Sequence, residues 1–247
     1  MSKIRLCINY QKLSVGQKVN LSREDLNYLF NVMRYNVGQR ICLTDGKGKN
    51  YIGEIIDKKT VIILKEENNS VEDNFDLVLC QALLKSNKME LVIQKATELG
   101  VKRIIPFVSE RCIIKKTNKI ERWRRIAKEA TEQSLRSILP EIENITTFRE
   151  LLNSIHNGIF FWEKASQSLF ETVQKIDILK PVYLIIGPEG GFTEKEAEEA
   201  KLKGLQIASL GKRVLRTETA SIVATALLSF LLQNYDIIKQ WMLNKKL

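Results

Sequence analysis

Two short glycine-bearing corners are where this chain is best equipped for chemistry: Gly187-Pro-Glu-Gly-Gly191 and Leu210-Gly-Lys-Arg213, both within residues 184–228. Each follows a short apolar run of strand type and shortly precedes a helix-type stretch. A strand that ends in glycine lets the backbone approach a ligand closely, because glycine tolerates positive φ and has no Cβ in the way. The helix after the first corner is signalled by Thr193 as its N-cap, with Glu196 completing a capping box. A plain tight turn between strand and helix uses the same residue types. Neither corner fits Gly-x-Gly-x-x-Gly or the P-loop pattern, so a phosphate cradle is poorly supported.

Other chemistries are bounded by what the chain contains. A single histidine, His156, in a turn-like stretch argues against a His-rich metal site and a Ser-His-Asp triad. Cys7, Cys42, Cys80 and Cys112 lie far apart with no Cys-x-x-Cys, and read as buried free thiols. The net charge is +10, and residues 102–136 hold eleven basic against four acidic residues, a local excess of +7. Such a stripe attracts a phosphate backbone through counterion release, although a solvated helix face carries the same pattern. No apolar stretch reaches the length of a membrane span, about 20 residues, so a cytoplasmic protein is expected.

The elements that must position the corners fall into two groups. Residues 1–70 read as a small β-rich barrel: strands over 4–8, 41–44, 50–56 and 61–64, and one helix capped at Ser22 with Leu26, Leu29, Phe30 and Met33 at a 3–4 spacing. Residues 65–74 are polar and aperiodic and read as the linker. From 74 to 247 strands alternate with helices, over 75–80, 88–99, 103–108, 119–135, 159–162, 182–186 and 206–209, which argues for an α/β domain with a parallel sheet. The last helix, over 219–232, is apolar nearly all round. A helix with no polar face must be covered on every side, either as a central core helix or, the favoured reading, as a helix shared between the core and a subunit interface.

Leu184-Ile-Ile-Gly-Pro-Glu-Gly-Gly-Phe-Thr193, taken with Leu210-Gly-Lys-Arg-Val-Leu-Arg-Thr-Glu-Thr-Ala220, resembles the cofactor-binding region of SPOUT-class RNA methyltransferases, and most closely that of the RsmE family. Arg5, Val32-Met-Arg34, Asp45-Gly46, Gln81-Ala-Leu-Leu-Lys85, residues 89–100, Ser109-Glu-Arg-Cys112 and Glu121-Arg-Trp123 read like that family too. The chain departs from it in Gln133-Ser-Leu-Arg136, where the family usually has Gln-Ser-Gly-Arg, and in lacking histidines in its N-terminal helix.

The resemblance implies a PUA-like barrel over 1–70 and a trefoil-knotted SPOUT domain over 74–247, with the knot at about 160–232. It implies a homodimer that uses S-adenosylmethionine to methylate N3 of a uridine in 16S ribosomal RNA of the small subunit, with no metal. Cofactor binding would fall to Ile185, Ile186, Gly187, Gly190, Ser209, Leu210, Gly211, Leu215 and Arg216. RNA binding would fall to Arg5, Arg34, Lys47, Arg122, Arg125 and Arg136. The N3 proton must leave before the lone pair can attack, by a general base or by cations that stabilise the developing anion. Glu218 is the candidate base and Arg216 the candidate stabiliser. Alternatives are another SPOUT activity, such as ribose 2′-O methylation of rRNA or tRNA, and a non-catalytic RNA-binding assembly factor.

Overall fold

The computed structural model describes residues 4–8, 13–69, 71–235 and 237, and residues 238–247 of the expected second domain lie outside the described residues. The described chain forms two compact units, Met1–Glu72 with Lys128–Leu139, and Asp73–Ala127 with Pro140–Leu247.

The first unit is a curled five-stranded sheet of β1 (Arg5–Cys7), β2 (Lys18–Asn20), β3 (Arg40–Thr44), β4 (Asn50–Ile55) and β5 (Thr60–Glu67), in the order β1-β3-β4-β5-β2. Helix α1 (Arg23–Leu26) is capped by the Ser22 side chain, which accepts from the Asp25 N–H, and runs into a π-helical turn at Asn27–Val32. The 3–4 spacing of Leu26, Leu29 and Phe30 still serves: Leu29 is buried, and Leu26 and Phe30 pack against the core of β-strand side chains. Met33 ends the turn and is exposed.

The second unit is a sheet of parallel strands. Its elements in order are β6 (Leu77–Ala82), α2 (Lys88–Glu98), β7 (Arg103–Val108), α3 (Ile120–Gln133, of which the residues from Lys128 on belong to the first unit), β8 (Glu141–Ile142), β9 (Thr146–Thr147), α4 (Phe148–Ser154), β10 (Gly158–Phe161), α5 (Leu169–Val173), β11 (Val182–Ile186), α6 (Glu194–Leu202), β12 (Gln206–Ala208) and α7 (Thr217–Gln233). The strand order is β12-β10-β11-β6-β7-β8, with β9 also pairing β7. β6 is buried at every position, as a strand covered on both faces must be. Met89, Val92, Ile93 and Ala96 form the buried face of α2, and Gly100 follows it at φ 93°.

Three differences from the sequence reading have physical causes. Strand β5 runs through Glu67, so the polar stretch over 65–74 begins as ladder rather than linker; its Ser70 lies outside the described residues. Further along the stretch the Glu72 carboxylate, its side chain 9% exposed, accepts from Arg136 Nη2 at 2.8 Å and from the backbone N–H groups of Ser137 and Ile138. Burial alone would raise the Glu72 carboxyl, but these donors outweigh it and hold it below the usual carboxylate range. Lys128–Leu139, which the division at 70/74 gives to the second domain, packs with the first unit through this clamp and through the Thr44 hydroxyl on the Ser137 carbonyl at 2.8 Å. A linear boundary cannot anticipate a segment that returns.

Leu135 adopts φ 60°, the left-handed region that glycine favours, at the position where the resembling family usually has glycine. A Cβ there costs about 1–2 kcal/mol. The Leu135 carbonyl accepts from the Arg5 guanidinium, which holds the conformation in place.

The same unit buries Glu132, whose Oε1 accepts from the Cys7 N–H at 2.8 Å and lies 3.7 Å from Lys128 Nζ. Burial pushes this carboxyl up to about 7, with Asp25 and Glu129 adding to the rise and Lys128 and the Cys7 N–H opposing it. Because the folded state holds this proton more tightly than the unfolded chain, stability should fall as pH rises from about 4.5 to 7 and level off above. The full effect is on the order of 3 kcal/mol. Protection of the Cys7 amide in hydrogen exchange should therefore be weaker at pH 8 than at pH 5.5 after correction for intrinsic rates, and Glu132→Gln should abolish the difference.

Candidate functional site

All strands of the second unit run parallel, so the segments that follow β6, β10, β11 and β12 emerge along one edge of the sheet. From β11 the chain passes through α6 and returns beyond β10 to add β12 at the sheet edge. A crevice forms at the carboxyl ends of parallel strands where the order reverses. Here it is a cleft of about 320 Å³, walled by residues 161–163, 186–192, 209–211 and 213–217, with Lys88 and Ala220.

The first corner is built by packing. Thr193 caps α6, and its capping box with Glu196 is complete in both directions. Phe192 is buried in a phenylalanine cluster, its ring centroid 4.1 Å from Phe160 and 6.3 Å from Phe107. A Cβ on Gly187 would come within 3.0 Å of the Phe192 ring, and one on Gly190 within 3.1 Å of Arg111 Cβ. Arg111 donates to the carbonyls of Gly190 and Phe192 at 3.1 and 3.4 Å. These glycines are thus demanded by the protein's own close contacts, not only by a ligand's approach. At the second corner the reason differs: Gly211 has φ 110° with open space where a Cβ would stand, and the Ser209 hydroxyl bridges its N–H and carbonyl.

A buried polar network joins the corners. The Gly187 carbonyl accepts from the Thr217 hydroxyl at 2.6 Å and from Gln81 Nε2 at 3.4 Å, and the Ser221 hydroxyl donates to Gln81 Oε1. Ser221 and Thr225 also bond the carbonyls four residues back, so their hydroxyls are satisfied within α7. Thr217, Ser221, Thr225 and Ser229 therefore form the buried face of α7 together with Ala224, Leu228 and Leu232. Its outer face carries Leu227 and Phe230, 44% and 60% exposed.

Of the expected cofactor residues, Ile186, Gly187, Gly190, Ser209, Leu210, Gly211, Leu215 and Arg216 line the cleft. Ile185 does not; it is fully buried in the β11 ladder, paired with Cys80 and Phe160. Arg216 is exposed at the N-cap of α7 and makes no side-chain cap, which leaves its guanidinium at the cleft. Glu218 stands outside the lining residues, with its Oε2 3.3 Å from Lys88 Nζ. The wall formed by Phe161, Trp162 and Glu163 was not anticipated. The reading of a strand over 159–162 carried the signal, since in a parallel sheet the turn after each strand opens onto the same edge.

Two of the residues expected to contact RNA are buried. Arg5 and Arg136 are only 7% and 3% exposed, with the first spent on the Leu135 carbonyl and the second on Glu72. Arg34, Lys47, Arg122 and Arg125 are exposed, Arg34 at φ 56°. Within the basic stretch much of the charge is balanced locally: Arg122 pairs with Glu90 at 2.8 Å, Lys102 with Asp76 at 2.8 Å, Arg103 with Glu143 at 3.2 Å and Lys128 with Asp25 at 2.7 Å. The four cysteines are buried free thiols, and burial pushes Cys7 up to about 12. Among the described residues no group of three or more His, Cys, Asp or Glu could hold a metal ion.

An RNA methyltransferase domain model matches residues 71–229, and an RNA methyltransferase PUA domain model matches residues 21–66. The ribosomal RNA small subunit methyltransferase E of Bacillus subtilis is 30% identical, over 93% of this chain and 96% of its own. The chain belongs to that methyltransferase family. The same enzyme of Synechocystis is 33% identical over 87% of this chain and 74% of its own. Among solved structures, ribosomal RNA small subunit methyltransferase E from Neisseria gonorrhoeae, bound to S-adenosyl methionine, superposes with a TM-score of 0.85 at 33% identity, covering 93% of this chain and 98% of that one. A methyltransferase from Legionella pneumophila in complex with the same cofactor gives 0.83 at 31% identity, with the same coverage. Membership explains why two corners far apart in sequence share one cleft, and the PUA match gives the five-stranded unit its family.

The Thr217 hydroxyl is the strongest donor to the buried Gly187 carbonyl. Thr217→Val should destabilise the second unit by about 1–2 kcal/mol, the cost of leaving a buried acceptor under-satisfied. Chemical denaturation would measure the loss, and an unchanged midpoint would show that Gln81 suffices.

Proposed function

We propose that this chain is an S-adenosylmethionine-dependent methyltransferase that methylates N3 of a uridine in 16S ribosomal RNA. The observation that carries the reading is the cleft itself: both glycine corners meet at the carboxyl edge of the sheet, in a chain whose relatives are named for small-subunit rRNA methylation. The cleft fits the cofactor. Ile186, Leu210, Leu215 and Trp162 supply apolar walls, the glycine corners supply backbone polar groups, and the volume lies within the range of small-molecule sites, roughly 300–1,000 Å³. S-adenosylmethionine supplies a methyl group on a sulfonium, ready for in-line displacement.

The protein's own task is to ease loss of the N3 proton. Arg216, at the cleft with a solvent-facing guanidinium, serves as the cation that stabilises charge developing on the uracil oxygens. The base route through Glu218 is the less favoured of the two, since that carboxylate lies against Lys88 and its side chain is only 14% exposed. Arg34 and Lys47 on the first unit, and Arg122 and Arg125 on the second, supply exposed charge for RNA. The knotted threading implied by the resemblance belongs to this reading, as does action in the cytoplasm; no described helix is long and apolar enough to cross a membrane.

Two tests follow. Small-subunit RNA from a strain lacking the gene, incubated with the protein and S-adenosylmethionine and digested for mass spectrometry, should yield 3-methyluridine. A 2′-O-methylated nucleoside would favour the ribose-directed alternative, and no added methyl would leave a non-catalytic RNA-binding protein. Arg216→Ala should lower kcat on the order of 10²-fold while cofactor still binds. The reading also includes a homodimer that covers the outer face of α7, because Leu227 and Phe230 have no place in solvent on a helix otherwise packed. Phe230→Glu should convert a dimer to monomers in light scattering; a wild-type monomer would remove that part.

A further inference from the structure

The cleft is tied at its floor by the Thr217–Gly187 bond, and a second tie stands at the wall nearest β6. Lys88, the first residue of α2, lines the cleft and places its Nζ 3.3 Å from Glu218 Oε2 and 3.7 Å from Glu189 Oε1. Glu189 belongs to the first corner and Glu218 to the first turn of α7. Glu189 Oε1 also accepts from the Lys85 backbone N–H at 3.0 Å. Glu218 Oε2 is buried and makes no hydrogen bond, so the ammonium of Lys88 is what offsets its charge. Between Lys85 and Lys88, Ser86 is held at φ 55°, a left-handed conformation unfavourable for a residue with a Cβ. The segment after β6 thus accepts a strained backbone, and it presents one N–H and one ammonium to carboxylates on two other segments.

We propose that Lys88 is a positioning residue of the methyl-transfer site, a clasp that sets the spacing between the β11 corner and the start of α7 around the methyl donor. The inference rests on the proposed function only for the identity of that donor. Helix α2 does not need the clasp in order to fold, because its buried face of Met89, Val92, Ile93 and Ala96 anchors it independently. Arginine at this position keeps the charge and can reach two carboxylates through its planar fork.

The test is a double-mutant cycle on Lys88→Met and Glu218→Gln, with Lys88→Arg as the rescue. Dissociation constants for S-adenosylmethionine come from calorimetry without RNA, and kcat comes from saturating donor on small-subunit RNA. Lys88→Met should weaken donor binding about tenfold and lower kcat further. Lys88→Arg should restore most of both. Glu218→Gln added to Lys88→Met should cost little more than Lys88→Met alone. In the ligand-free protein, the Gly191 amide, which donates to the Pro188 carbonyl at 2.9 Å, should exchange faster in Lys88→Met. Wild-type donor affinity in Lys88→Met, or independent multiplying effects of the two substitutions, would overturn the clasp. A wild-type protein that binds donor but transfers no methyl to RNA would instead sink the rRNA reading, and the binding cycle would still decide the clasp.

Discussion

The Gly187 carbonyl is the contact on which the second unit's cleft depends. It lies at the end of β11, beside β6, and takes its hydrogen bonds from Thr217 and Gln81. A buried carbonyl without a donor is costly, so this one acceptor selects a hydroxyl at the first position of α7 and an amide at the end of β6. Gln81 in turn recruits Ser221 one helical turn further on. Three elements distant in sequence are thereby placed within one polar network, and the second corner, which leads into α7, is carried to the first.

Packing around that network accounts for the unusual polarity of α7. Small hydroxyl residues at 217, 221, 225 and 229 face inward, which allows close approach to α2 and β11, and Ser221 and Thr225 return a hydrogen bond to their own helix. The larger apolar side chains Leu227 and Phe230 are left on the outside. Small hydroxyl residues thus share the inner seam with Ala224, Leu228 and Leu232.

Much of this was legible from residue types. The capping box at Thr193 and Glu196, the strands over 103–108 and 182–186, the buried thiols and the two corners all follow from local rules that act over a few residues. The resemblance to the RsmE family also rests on local strings, which is why it covers both corners. What was not legible was the fate of the charges. Arg5 and Arg136 look like any surface cations, yet the first closes a left-handed turn at Leu135 and the second clamps Glu72, because each meets its partner across 64 to 130 residues of chain. The basic excess over 102–136 overstated the charge available to RNA for the same reason: its partners at Glu90, Asp76, Glu143 and Asp25 lie outside the stretch.

The sequence by itself determined the two corners, their strand-before and helix-after setting, and the α/β class of the unit that holds them, since each depends on periodicity, glycine and capping within a short window. Tertiary structure alone decided that the corners share a cleft, that Phe161, Trp162 and Glu163 complete its wall, and that Glu218 is turned to Lys88 instead of lining it. Those outcomes depend on strand order and on pairings between distant segments. A chain read one window at a time carries no measure of which distant partner will satisfy a buried charge.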